Sequence, residues 1–353
     1  MAVANKIFSD GKRVLQKRNS AQKVIFNDAD IIMSVGYSVN LATRTMSIVF
    51  DKKVDAFFRF NNGLNAERIL EFFDSDKITK NLNPNEDGNG DVQNPAVPNI
   101  NFFKDCHIFL RDKSQVNKIT TSSNNGNIWA FNEVIKFSDG WNNLTEIDAS
   151  NFAEIGQIFI QNLPRLKILK LKLNRANSTG LSGDNFPLNS LNSNSLQYLY
   201  FSSAGGITNI TALLPTSLRY LSIIGYYRNV NIDLKNFYTG NRIGLSMSNG
   251  FKASYSGGAI FPATISDDSD YPIDYILYLG SSIDNKITGD EFSRFILDFA
   301  NQVKSVTTVQ KRIRCVGVTA NTSYTDNSQP LYKTYTAALN YITTTLGVTV
   351  QFT

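Results

Sequence analysis

The side chains that perform most catalysis are scarce in this sequence. It holds one histidine, His107, and two cysteines, Cys106 and Cys315, in 353 residues. A zinc site takes three or four His, Cys or carboxylate ligands in a local cluster, and neither CxxC nor HxxxH occurs. A Ser-His-Asp triad would have to be built on His107, with a nucleophile that no motif marks. No GxxxxGK[ST] or GxGxxG phosphate cradle is present. Carboxylates do gather at Asp267, Asp268 and Asp270, but in SDDSDYP, the composition of a solvated turn. Asp87, Asn89 and Asp91 imitate the start of a calcium loop until Val92 replaces the glycine and Pro98 the closing glutamate. The expectation is therefore a protein that is not an enzyme and takes no metal and no cofactor.

Binding chemistry is better represented. Aromatic residues make up 12% of the chain, with 24 Phe and 15 Tyr, while charged residues make up only 18%. That balance excludes wholesale disorder, and the abundance of Asn, Ser and Thr favours strands and turns over long helices. The net charge of +5 is local, because residues 1–23 carry Lys6, Lys12, Arg13, Lys17, Arg18 and Lys23 against Asp10 alone. A basic arm on a neutral body predicts docking to an acidic surface, with Lys12, Arg13, Lys17 and Arg18 as contacts, rather than specific nucleic-acid reading. The N-terminal residues lack the apolar core of a secretory signal, and no apolar run reaches membrane-spanning length. A soluble chain made in the cytoplasm, with no membrane insertion, is expected.

These residues need elements to position them. Segments 23–40 and 44–60 mix alternation with turn residues, as antiparallel strands do. Leu64, Ile69, Leu70, Phe72 and Phe73 predict a short helix over 64–77, and the Pro-, Asn- and Gly-rich stretch 81–101 predicts a long loop. Further along, LKILKLKLN (166–174) fits the pattern LxxLxLxxN. Leu144, Ile147, Ala149 and Phe152 share its offsets, as do Leu196, Leu199, Phe201 and Ala204, then Leu218, Leu221, Ile223 and Tyr226. Gly240 with Ile243, Leu245 and Met247 continues the series, followed by Ile273, Ile276 and Tyr278, and by Ile313, Val316, Val318 and Asn321. Alternate side chains of each short strand would enter a shared interior, and stacked copies bury what one copy cannot.

On these motifs the chain resembles leucine-rich-repeat proteins of the irregular microbial and viral kind. The order after 287 is similar to the repeat cap of phage tail or fibre and bacterial surface proteins. It comprises a helix at 287–303, a strand at 313–321, a helix from 331 to 347 and a closing VTVQF. The expected fold is α/β, an irregular leucine-rich-repeat solenoid with parallel short strands, preceded by a β-rich N-terminal domain. Its parts would be a basic arm (1–23), an assembly domain with one short helix and an Asn/Pro-rich loop (24–120), and the repeats (121–353), capped from about 287.

The resemblance implies a non-enzymatic structural or attachment component of a bacteriophage virion, made in the host cytoplasm. Its partners would be other virion proteins, in multiple copies within a symmetric assembly, and a host surface protein or glycan. The alternative is a bacterial leucine-rich-repeat adhesin or partner-binding module. Side chains between the core leucines would form an exposed face, and Lys170, Lys172, Tyr198, Tyr200, Tyr220 and Ser222 are its candidate contacts.

Overall fold

The computed structural model describes residues 29–38, 45–61, 71–81, 101–123, 133–151, 155–160, 162–172, 195–202, 214–267, 271–280 and 287–352. The chain is α/β and mostly strand. It divides into two compact units, Met1–Leu166 and Lys167–Thr353. The basic arm and most of the 81–101 loop, with Asp87, Asn89 and Asp91, lie outside the described residues.

In the first unit, β1 (Ile31–Ser38) pairs antiparallel with β4 (Asn101–Leu110) and β6 (Glu133–Phe137). The long strand β2 (Thr45–Asn61) pairs antiparallel with β3 (Glu71–Asn81), β4 and β5 (Lys118–Ser123). Two pairs are parallel: β5 with β7 (Glu146–Asn151), and β6 with β8 (Ile155–Phe159). Period-two alternation buries Ile48, Phe50, Val54, Ala56 and Phe58 of β2 on one face. Between them the register shifts, and Asp51, Lys52 and Lys53 turn to solvent. Asp51 accepts from the Asn117 amide and side chain at 2.9 and 2.8 Å and from Lys118 N at 3.2 Å. Burial alone would raise its pKa, but these bonds outweigh burial and hold it below the usual carboxylate value.

The helix expected over 64–77 is not what forms where the chain is described. Residues from Glu71 onward belong to β3, whose Phe73 ring meets Phe58 edge-on at 6.4 Å. The apolar spacing there suits a helix face, yet pairing with β2 satisfies every second side chain and the backbone at once, so tertiary context wins. A copy of the strand pattern that sequence reading passed over also appears here. Val116, Ile119 and Thr121 of the β5 region are buried like Leu144, Ile147 and Ala149, and Ile119 faces Ile147 across the parallel pair. Thr121 takes a leucine's place with its hydroxyl buried and without a partner.

The second unit is built on parallel pairing. Strands β9 (Ile168–Lys172), β10 (Tyr198–Ser202), β11 (Tyr220–Asp233) and β12 (Gly244–Ser254) run side by side. A two-stranded piece of β13 (Thr264–Ile265) and β15 (Ser305–Val306) stands apart from them, while β14 (Leu277–Leu279), β16 (Arg312–Cys315) and β17 (Thr349–Phe352) extend the series. Register aligns Leu169, Leu199, Leu221, Leu245, Leu277, Ile313 and Val350 in one row. A second row holds Leu171, Phe201, Ile223, Met247, Leu279, Cys315 and Phe352. Apart from Val350 and Phe352 on the last strand, every member of both rows is buried.

Entry into these strands repeats one hydrogen-bond device. The carbonyl of Lys167 receives the amides of Gln197 and Tyr198, that of Gln197 receives Arg219 and Tyr220, and that of Arg219 receives Ile243 and Gly244. The first unit uses the same device, with Asn117 O accepting from Thr145 and Glu146. Each strand start thereby satisfies amides that the ladder has not yet reached.

The expected register holds for β9, β10 and β11 and slips beyond them. Leu221 faces Leu245, so that step is 24 residues and not 22, and Ile243 precedes the strand. In β14 the inward pair is Leu277 and Leu279, which turns Tyr278 outward. In β16 it is Ile313 and Cys315 in place of Val316 and Val318. A one-residue slip exchanges the faces of a strand, and insertions of varying length conceal such slips from pattern matching.

Helix α1 (Leu234–Phe237) is a single turn, whereas α2 (Gly289–Gln302) is the principal helix of the unit. Thr288 and Glu291 form a reciprocal capping box at its start, with bonds of 3.2 and 2.6 Å. Gly289 is required there because a Cβ would strike the carbonyl of Thr319. The expected second helix is shorter than its pattern. It comprises α3 (Tyr335–Asn340), N-capped by Thr334, followed by one wider turn over Tyr341–Thr345. Thr343 and Thr344 bond back to Leu339 and Asn340 carbonyls, which loosens that end. Among the described residues no helix is long and apolar enough to cross a membrane.

Candidate binding face

The side chains between the two buried rows of the second unit share one side of the sheet. In register they form the line Lys170, Tyr200, Ser222, Ser246, Tyr278, Arg314 and Gln351. A neighbouring line contains Ile168, Tyr198, Tyr220 and Gly244. The alternation that sends leucine inward thus delivers tyrosine, serine and cations outward.

This face is not uniformly open. Lys170, Lys172, Tyr198 and Tyr200 are half-buried, but Tyr220 is 1% and Ser222 3% exposed. The expectation that the last two are surface contacts does not hold. Residues 271–276 cross near this part of the sheet, as Gly244 records, since a Cβ there would lie 2.6 Å from both the Tyr275 carbonyl and the Tyr220 ring. Burial pushes the Tyr220 phenol well above its usual pKa, with Tyr198 and Asp274 adding to the shift. The Lys12, Arg13, Lys17 and Arg18 arm lies outside the described residues.

Two aromatic stacks border the covered middle. Tyr198 and Tyr220 lie with centroids 5.0 Å apart and planes at 23°, beside a cleft of about 20 Å³ that Arg219, Tyr271 and Ile273 help to line. That volume admits one water-sized group. Arg219 is held by donation to Ser266 O at 2.9 Å. On the far side, Tyr275 and Tyr278 stack at 4.8 Å and 27°, and the Arg314 guanidinium sits 5.7 Å over the Tyr278 ring. Sequence reading missed Tyr278 and Arg314 because it assigned the wrong residues of their strands to the interior.

Two polar clusters elsewhere have the residue types of a reactive site. In the first unit, Lys113 Nζ lies 2.8 Å from Ser138 Oγ and 2.7 Å from Asp30 Oδ1. A lysine activates serine only with a free lone pair, and here the ammonium is engaged with a carboxylate 1% exposed. Asp30 also accepts from Leu110 N at 2.6 Å, so the cluster pins the start of β1 to the end of β4. Lys113→Met should cost about 2 kcal/mol in urea unfolding, because the carboxylate keeps the Leu110 amide and the Ser138 hydroxyl as donors but loses its counter-charge. A cost near zero would mean that the pair does not hold this corner.

In the second unit, Asp298 of α2 is 6% exposed and accepts from Tyr255 OH, Gly258 N at 3.0 Å and Gln329 Nε2 at 2.7 Å. Every oxygen is occupied by a hydrogen-bond donor that itself is fixed, which describes a structural bolt and not a general base. Asn301 and Gln302 continue it by binding the backbones of Leu331 and Tyr332, and of Ala259 and Phe261. No family model matches this chain, and neither does any curated protein or solved structure.

Proposed function

We propose that the chain is a non-enzymatic binding and assembly protein, a structural or attachment component of a bacteriophage virion. In this reading residues 121–353 are an irregular leucine-rich-repeat solenoid, closed at its C-terminal end by the helices α2 and α3. The N-terminal part docks on neighbouring virion proteins in multiple copies, and the strand face is offered to protein or glycan. The observation that carries it is the pair of aligned apolar rows running through seven parallel strands of the second unit. Such a ladder commits its interior to packing and leaves side chains at fixed intervals for contact. The engaged state of both polar clusters is in keeping with a protein that grips and does not react.

Mass spectrometry of purified particles, paired with light scattering of the isolated chain, tests this. The expected result is the chain among the particle proteins and self-association or firm retention by another particle protein. A monodisperse monomer absent from particles overturns the reading. Recovery from a bacterial surface fraction would favour the adhesin alternative.

A further inference from the structure

The side of the ladder nearest its last strand differs from the covered middle. Tyr278, Arg314 and Gln351 lie in one register line, and Arg312 pairs with Thr349 in the next. Arg312, Thr349 and Gln351 are exposed, whereas Tyr278 and Arg314 are half-buried and locked against each other. Tyr275 extends the aromatic surface by stacking on Tyr278. No outward position on β9, β10, β14, β16 or β17 is Asp or Glu. Among the described residues, the other carboxylates of the same unit sit elsewhere: Asp233 at the end of β11, Asp267 bound to the Ile273 and Val309 amides, and Asp290, Glu291, Asp298 and Asp326 in helices and turns. Asp274 approaches the face, on the crossing segment beside the buried Tyr220.

We propose that Tyr275, Tyr278, Arg312, Arg314, Thr349 and Gln351 form a subsite for an anionic polysaccharide bearing carboxylates on its sugar rings. This deepens the binding-protein reading above and rests on it. Tyrosine faces accept the C–H side of a pyranose, and guanidinium groups take carboxylates in paired hydrogen bonds. Thr349 and Gln351 supply the neutral donors and acceptors that ring hydroxyls need. Geometry favours a glycan over other anionic chains. Neighbouring strands lie about 4.8 Å apart, close to the length of one extended pyranose, so a glycan crossing the strands meets one new strand per ring. An extended nucleotide is longer than this interval. A peptide would instead add to the sheet edge through its backbone.

The test is retention of the full chain on immobilised polygalacturonate, with neutral dextran and single-stranded oligothymidine as comparison surfaces. Selective binding to polygalacturonate, weakened by salt, is expected. Arg312→Gln should weaken it at least about tenfold, the loss of one charge-assisted pair, with an unchanged melting profile because the residue is exposed. Arg314→Lys should weaken it similarly, because an ammonium keeps the charge but lacks the planar fork. Lys252→Gln, an exposed cation on β12 outside the subsite, should leave binding unchanged. Four results overturn the proposal: no binding to polygalacturonate, equal binding to oligothymidine, equal binding to dextran, or equal loss in Lys252→Gln. If binding fails while the chain is still found in particles, the subsite falls and the functional reading stands.

Discussion

Asp298→Ala should destabilise the second unit by about 3–5 kcal/mol, measured as a lowered urea midpoint with an unchanged slope. The carboxylate receives the hydroxyl of Tyr255, the amide of Gly258 and the side chain of Gln329. Tyr255 is fully buried, so its hydroxyl cannot turn to water once the acceptor has gone. Three donors from two separate loops would lose their partner in one step. Asp298→Asn separates charge from geometry. An amide oxygen can face Tyr255 and Gly258 while its nitrogen faces Gln329, whose own amide can rotate to accept. The asparagine variant should therefore cost only about 1 kcal/mol. Equal losses in the two variants would mean that the negative charge, and not the hydrogen-bond pattern, holds the cluster.

Alkaline pH should unfold the second unit cooperatively. Tyr220, Tyr238, Tyr255 and Tyr335 are each no more than 2% exposed. Burial raises every one of these phenols above its usual pKa, and Asp298 adds to the rise at Tyr255. Tyr335 is pushed up to about 12. Burial likewise raises the Cys315 thiol. In the unfolded chain these groups ionise near their ordinary values, so above about pH 9–10 the unfolded state binds fewer protons than the native one. Stability is thus intact below that range and falls as pH rises through it toward the folded values. Tyr335 alone contributes about 2 kcal/mol of loss by about pH 12, and the other three act in the same direction. Phenolate absorbance of these residues should appear together with loss of the circular dichroism signal. Full ionisation of all tyrosines with the dichroism intact would show that their burial is not maintained in solution.

Part of this architecture is legible without coordinates. Leu169 and Leu171, Leu199 and Phe201, and Leu221 and Ile223 were assignable to one interior from spacing alone, and all six are buried in parallel register. Helix α2 was equally readable, since Phe292, Phe295, Ile296 and Phe299 fall on one face and are buried. Both cases depend on interactions a few residues apart, where side-chain periodicity determines the outcome. The candidate face was only half legible. Lys170, Lys172, Tyr198 and Tyr200 lie where strand alternation places them, but Tyr220 and Ser222 are covered, and Tyr278 and Arg314 emerge from strands whose phase was misjudged.

What the chain's own order determined was the existence of apolar rows and the helix that follows them, because these follow from periods of two and 3.6 residues. What tertiary structure alone decided was phase and cover. Whether Ile276 or Leu277 points inward depends on which neighbour the strand meets, and both are buried, so composition cannot choose. Whether a tyrosine is a contact or a core residue depends on a segment some fifty residues away crossing over it, as 271–276 does beside Tyr220. Such long-range choices are settled by the packing of the whole unit, for which no local pattern carries a signal.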